Sequence, residues 1–291
     1  MSQAFDLSVL PDVQTALNWA VSQLTASDTA RLDSECLLAE CVGQNRTWLF
    51  TWSDKLLTEE QWQRFQALIA ERASGQPVAY LLGYREFWGL SLKVSPDTLI
   101  PRPDTEDLVA KVLELIPQAE AKVADLGTGT GAIALALASE KPGWQITACD
   151  FNPGAVALAE ENRKTLGFNQ VRVLHSDWCQ ALEADAIAKG GFDLIASNPP
   201  YIEDDDPHLS QGDVRFEPLS ALTSGADGLD DIRVITQQAK TCLKSGGWLI
   251  FEHGYNQGEA VRDILTAAGY QGAQTGQDMA GVDRISFARL P

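Results

Sequence analysis

Between Val123 and Ala138 the chain runs Val123-Ala124-Asp125-Leu126, then Gly127-Thr128-Gly129-Thr130-Gly131, then Ala132-Ile133-Ala134-Leu135-Ala136-Leu137-Ala138. This reads as a strand, a glycine loop and an Ala/Leu-rich helix. The alternation continues downstream. Strands are expected near 122–126, 145–150, 171–175, 192–197 and 247–252, and helices near 131–140, 153–166, 230–244 and 255–268. A last pair of strands, about 272–277 and 284–289, has no helix between its members and reads as a hairpin. Such a chain builds an α/β fold, a doubly wound and mostly parallel seven-stranded sheet with one antiparallel strand near its edge. Open sheets of this kind hold their ligands beyond the C-terminal ends of the strands.

Two of those strand ends carry chemistry. Glycines in the first loop permit positive φ and let a ligand approach the backbone. The helix that opens there offers free N–H groups and a partial positive end. The next strand, Gln145 to Cys149, ends in Asp150, whose carboxylate can accept from both hydroxyls of a ribose. The loop alone is ambiguous: Gly127, Gly129 and Ala132 also satisfy the dinucleotide fingerprint, with Asp150 near the expected spacing, so NAD competes.

The competition is decided about seventy residues on. There Phe192-Asp193-Leu194-Ile195-Ala196-Ser197 runs into Asn198-Pro199-Pro200-Tyr201. Two successive prolines donate no hydrogen bonds and cannot continue a central strand. They hold a rigid turn whose carbonyls are free to accept. Asn198 adds a side-chain carbonyl, and Tyr201 a flat ring. The four residues form a clamp for a planar group bearing an NH2, whose delocalised lone pair makes it a poor nucleophile. A dehydrogenase has no use for such a clamp. S-adenosylmethionine, with a ribose, an adenine and a transferable methyl, matches both halves.

Residues 1 to about 75 read as helical. Val13, Leu17, Ala20, Val21 and Leu24 recur at helical spacing, as do Leu32, Cys36, Ala39 and Val42; Thr58 to Gln61 is a capping box, and Gly75 stops the last helix. Trp19, Trp48, Trp52 and Trp62 are expected in the core of this bundle, which has no catalytic constellation and is expected to recognise substrate. Residues 76–103 form a β-hairpin around Arg85-Glu86-Phe87-Trp88 and a proline-stiffened linker. Residues 104–291 form the nucleotide-fold domain. The linker also fits a place in the wall over the cofactor.

Bulk properties narrow the function further. Met1 to Asp12 carries acids and no Lys or Arg, unlike a secretory signal, and no apolar run is long enough to span a membrane, so a cytoplasmic location is expected. Five cysteines without a Cys-x-x-Cys pair, and only three histidines, argue against structural zinc and for reduced thiols. The net charge is −18, and from Tyr201 to Asp231 nine acids face Arg215 alone. That segment either overhangs the site and favours a basic partner, or keeps the protein soluble. An acidic balance opposes phosphate binding and so speaks against nucleic-acid methylation.

With these residues placed, the whole chain resembles the protein-(glutamine-N(5)) methyltransferases that modify peptide chain release factors, the HemK/PrmC family. The likeness rests on the helical N-domain, Arg85 to Trp88, Ile100-Pro101-Arg102-Pro103-Asp104-Thr105-Glu106, Asp125 to Gly131, Ser176-Asp177-Trp178, Asn198 to Tyr201, and Gln211 to Pro218. Asn-Pro-Pro-Tyr alone is shared with adenine methyltransferases of DNA and some guanine methyltransferases of RNA.

The resemblance implies a class I S-adenosylmethionine-dependent methyltransferase fold. It implies as substrate the glutamine of the Gly-Gly-Gln loop in release factors 1 and 2, with S-adenosylhomocysteine as product. It places Gly127, Thr128, Gly129, Thr130 and Gly131 along the methionine part, Asp150 on the ribose, and Asp177 and Trp178 beside the adenine. Asn198 and the Pro199 carbonyl would take the two amide hydrogens, with Pro200 in the turn and Tyr201 packed on the amide plane. A sulfonium is a strong electrophile already, so no metal and no nucleophilic side chain are required, and the proton can leave after transfer. No general base is assigned; Glu252 and His253, at the end of the fifth strand, are expected to be structural. A monomer is expected. A binding module built on the same scaffold is the non-enzyme alternative.

Overall fold

In the computed structural model, which describes residues 10–184, 186, 190–278 and 281–291, the chain divides after Gly83 into two units. The acid-bearing start of the chain, residues 1–9, lies outside the described residues.

The first unit is helical: α1 (Val13–Gln23), α2 (Ala30–Val42), α3 (Arg46–Thr51), α4 (Glu59–Ala73) and α5 (Val78–Leu82). Short polar side chains start three of these helices by satisfying free N–H groups. Asp12 accepts from Thr15 N at 2.7 Å, Asn45 from Trp48 N, and Thr58 forms the expected capping box with Gln61. Gly75, at φ +103°, turns the chain after α4. Leu17, Leu37, Leu38, Leu49, Phe65 and Ile69 fill the core.

Two expectations need correction here. On α2 the buried residues are Asp33, Ser34, Glu35, Leu37, Leu38, Ala39 and Cys41; of the expected stripe Ala39 is buried and Val42 packs against the core, but Leu32 is 43% exposed. Two acids of this helix are also drawn inward by arginines. Asp33 meets Arg72 of α4 at 2.8 Å, and Glu35 meets Arg31 and Arg46 at 2.7 Å each. Among the four tryptophans, Trp62 is buried edge-on to Trp19, and Trp48 packs against the core. Trp52, just past α3, is 52% exposed and is not a core residue.

The second unit opens with the hairpin β1 (Tyr84–Phe87) and β2 (Leu90–Lys93). Trp88 and Gly89 both have positive φ, as a two-residue turn with the twist of its strands requires. The turn is fastened by Glu106, which accepts from Trp88 N, and by Glu140, which accepts from the indole, both at 2.9 Å. Helix α6 (Thr105–Leu115) begins where the prolines at 101 and 103 release the backbone.

Then come β3 (Lys122–Leu126), α7 (Ala132–Glu140), β4 (Gln145–Asp150), α8 (Pro153–Leu166), β5 (Val171–His175), β6 (Phe192–Ser197), α9 (Asp230–Cys242), β7 (Leu243–Glu252), α10 (Gly258–Ala267), β8 (Gln271–Gln277) and β9 (Asp283–Arg289). The sheet order is β5-β4-β3-β6-β7-β9-β8, with β9 antiparallel to both its neighbours. This is the seven-stranded, doubly wound architecture expected from the sequence.

Strand β7 starts at Leu243, four residues earlier than expected. Its first pairing, Leu243 with Phe192, is out of step with the next, Trp248 with Leu194. Lys244 to Gly247 absorb the difference, and Gly246 does so at φ +76°. Alternate residues of the central strands feed two cores, one on each face. Val123, Leu194 and Ile250 join α6 and α7 on one side; Ala124, Ile195 and Phe251 join α9 and α10 on the other. Among the described residues no helix is long and apolar enough to cross a membrane.

Candidate active site

The strand order reverses between β3 and β6, and parallel sheets open a crevice at such a switch point. The register sets what meets there. Leu126 pairs with Ser197 on one side and with Cys149 on the other, and Asp150 pairs with His175. The next residues, Gly127, Asn198, Asp150 and the 176–178 turn, therefore gather at one end of the sheet. Ser197 Oγ donates to Leu126 O at 2.8 Å and ties the two central strand ends together.

A cavity of about 330 Å³ occupies this end. Of the residues expected from the sequence, Gly127, Gly129, Thr130, Asp150, Asp177, Trp178, Asn198 and Pro200 line it. Thr128, Gly131, Pro199 and Tyr201 are not among its lining residues. Thr128 donates to buried Asp125 at 2.6 Å, and Gly131 carries the left-handed turn into α7.

Each lining group has a physical reason for its pose. Gly127 sits at φ +68° with the Trp178 ring so close that a Cβ would lie 3.2 Å from it. Trp178 itself holds φ +46°, uncommon for a bulky residue; burial raises the carboxyl of Asp231, another cavity residue, opposed by the side chains of Ser224 and Trp178. Asp150 Oδ2 accepts from Gly129 N and Oδ1 from Asn152 N, both at 2.9 Å. Each oxygen keeps a second lone pair. Burial pushes the Asp150 carboxyl above its ordinary range, against those backbone bonds. Asp125, fully buried beneath the loop, is pushed up to about 7 by burial, despite bonds from Thr128 and from Ala134 N in the first turn of α7.

The clamp is held from behind. Asn198 Nδ2 donates to Thr105 Oγ1 at 3.2 Å, while Asn198 Oδ1 is buried and has no hydrogen-bond partner among the described residues. Tyr201 donates its hydroxyl to Glu252 at 3.4 Å, its N–H to Leu222 O, and receives Gln257 Nε2 on its carbonyl at 3.0 Å. Burial raises the Glu252 carboxyl to about 7, opposed by the hydroxyls of Thr105 and Tyr201. Next to it His253 is fully buried, bonded at Nε2 to Ser286 Oγ and at Nδ1 to Gly254 O, and burial lowers its pKa.

Several lining residues were not singled out from the sequence. Asp97, Thr98, Leu99, Pro101, Arg102 and Thr105 supply one wall, as the linker reading allowed. Ser220 and Ala221 supply another. Arg102 and Glu217 bridge these two segments at 2.7 Å, with Glu217 fully buried and pushed up to about 7 by that burial. Phe151 follows Asp150 into the wall, 70% exposed and stacked on His175. A large aromatic directly after the strand-end acid was the available signal for Phe151. For the Arg102–Glu217 pair there was none, since 115 residues separate its members.

Known proteins resemble this chain over nearly its whole length. Residues 15–83 match the family model of the PrmC N-terminal domain, and residues 105–213 that of the methyltransferase small domain. The release factor glutamine methyltransferase of Pseudomonas aeruginosa is 53% identical over 92% of this chain and 95% of its own. That of Shewanella oneidensis is 50% identical over 95% and 96%, and that of Escherichia coli K12 48% over 96% and 99%. Among solved structures, the hMettl16 catalytic domain superposes with a TM-score of 0.56 at 17% identity, covering 77% of this chain and 82% of that one. The 16S rRNA N2 G1207 methyltransferase of T. thermophilus, in complex with AdoMet and guanosine, gives 0.52 at 20% identity over 72% and 50%. These two share the class I methyltransferase fold. Near-full-length identity of about one half places the protein itself: it belongs to the release factor glutamine methyltransferases.

Proposed function

We propose that this protein methylates the side-chain amide nitrogen of the glutamine in the Gly-Gly-Gln loop of bacterial class I release factors 1 and 2, using S-adenosylmethionine, and so modulates translation termination. The observation that carries the site assignment is the buried, unpartnered Asn198 Oδ1 at the rim of a cavity that also holds Asp150. A buried acceptor without a donor is costly, and a primary amide brings the donor.

S-adenosylmethionine, when bound, supplies a methyl on a sulfonium. The residues around the cavity fit it. Asp150 has a lone pair on each oxygen for the ribose hydroxyls. Gly127 to Gly131 leave room beside the backbone, and Asp177 and Trp178 bound the far end for an adenine. Asn198 Oδ1 and the Pro199 carbonyl accept the two amide hydrogens of the substrate. They hold its nitrogen lone pair toward the methyl and oppose the positive charge that develops on nitrogen. Pro200 keeps the turn rigid, and Tyr201 packs on the amide plane. No side chain takes a proton in this account; the methylated nitrogen loses it afterwards to solvent.

The helical unit docks the body of the release factor, and the sheet unit takes its glutamine loop. The enzyme acts as a cytoplasmic monomer without a metal. Mass spectrometry of purified release factor, incubated with this protein and S-adenosylmethionine, tests the reading. A gain of one methyl on the loop glutamine is expected, and an unmodified glutamine at full cofactor occupancy overturns it.

A further inference from the structure

We infer that Thr105, the first residue of α6, is a positioning residue that sets which end of the Asn198 amide faces the substrate. The inference rests on the clamp reading above. An Asn amide has a donor end and an acceptor end of nearly the same shape, and only the surrounding bonds decide its orientation. At Asn198 the donor end is engaged: Nδ2 lies 3.2 Å from Thr105 Oγ1. The acceptor end, Oδ1, is left buried without a partner. If the amide were flipped, two NH2 groups would face each other across the site, and the substrate would find no acceptor at Asn198.

Thr105 is suited to this role by what lies on its other side. A hydroxyl has one proton to give and can accept elsewhere. Thr105 is 4% exposed, and Glu252, a carboxylate at the end of β7 that is itself 2% exposed, has its pKa raised by burial but held lower by the Thr105 and Tyr201 hydroxyls. The ionised form that these hydroxyls favour can only accept. With its proton directed there, Thr105 presents a lone pair to Asn198 and selects the Nδ2 end. Tyr201, which donates to the same carboxylate at 3.4 Å, is fixed by the same group. One buried acid at a neighbouring strand end thus orders both side chains of the clamp. The run from Ile100 to Glu106, which serves the fold as a helix start, acquires a chemical role at its sixth residue.

The test compares kcat, KM and cofactor affinity across variants of the full chain, with release factor as substrate. Thr105→Val keeps the shape and removes the acceptor. It is expected to lower kcat about 10- to 100-fold, the range found for partners that orient a functional ligand. KM for release factor and the calorimetric affinity for S-adenosylmethionine should move less than about threefold. Thr105→Ser, which restores the hydroxyl, should recover most of the loss. In an Asn198→Ala background Thr105→Val should cost less than about twofold, because it acts through an amide that is gone. A normal kcat in Thr105→Val, with Asn198→Ala inactive, overturns the inference and leaves the clamp standing. An equal cost in both backgrounds also overturns it, because Thr105 would then act by another route. A normal kcat in Asn198→Ala defeats the clamp reading itself. Should Thr105→Val not fold, Thr105→Ala takes its place in the same comparison.

Discussion

Asp150 and Asn198 are both half-buried polar residues at strand ends, yet opposite arrangements prepare them. Asp150 is already satisfied by two backbone N–H groups and offers spare lone pairs, so it can bind without being strained by its own isolation. Asn198 Oδ1 has no partner among the described residues and gains most when a donor arrives. The two should therefore fail differently. Asp150→Ala removes hydrogen bonds to a charged acceptor, together contributing roughly 1.5–3 kcal/mol, so S-adenosylmethionine affinity should fall about 10- to 150-fold. Calorimetry reads this directly, and an unchanged affinity would remove Asp150 from the site. Asn198→Ala should leave that affinity nearly intact and lower turnover about 100- to 1000-fold, the usual effect of losing one group matched to transition-state charge. Single-turnover methylation at saturating cofactor separates the two effects.

At the scale of elements, α2 holds more than its apolar pattern suggests. Burial opposes ionisation of Glu35, but bonds from Arg46 and Arg31 prevail and hold its carboxyl below the ordinary value of 4.5. A carboxyl whose folded pKa is depressed contributes stability that is fully present above the unfolded value and lost as pH falls through the folded one. Unfolding of the helical unit should accordingly become easier below about pH 4.5, and Glu35→Gln should flatten that part of the profile. Urea titrations over pH 2–6 would show it; an identical acid slope in the variant would place the sensitivity elsewhere. The same helix shows how far sequence patterns reach. Strands and helices of the second unit were legible because apolar runs bounded by glycine and proline admit few structures. Thr58 and Gln61 announced α4 by local chemistry alone. Leu32 misled, because hydrophobic spacing does not reveal that Asp33 and Glu35 have arginine partners up to 39 residues away, and Trp52 misled because it falls at the C-terminal end of the short α3. In the site, Asp150 and Asn198 were legible from their places at strand ends. Thr105, Arg102 and Glu217 were not, since each matters through a partner that only the closed sheet brings near.

Across the whole molecule the net charge of −18 is unevenly used. The stretch from Tyr201 to Asp231 has nine acids, but the fold neutralises part of it. Glu217 is buried against Arg102, and Arg233 bridges Asp227 and Asp230. Asp231 turns inward to line the cavity. What remains concentrated at the surface is Glu203, Asp204, Asp205 and Asp206, directly after the clamp. Release factors act against ribosomal RNA, so the surface around their glutamine loop should be basic, and this cluster would draw it in while repelling naked nucleic acid. Complementarity of this kind works mainly on the association rate and is screened by salt. Asp206 also caps the turn that follows it, accepting from His208 N at 2.8 Å, so the substitution should be Asn, which keeps the cap. Converting Asp204, Asp205 and Asp206 to Asn should slow capture of release factor at low ionic strength, and the gap from the parent protein should close as salt rises. Turnover at saturating substrate should change little, because these charges do not reach the reacting amide. Stopped-flow association over a salt series is the measurement. Rates indifferent to both the substitutions and the salt would reduce the cluster to a solubilising loop.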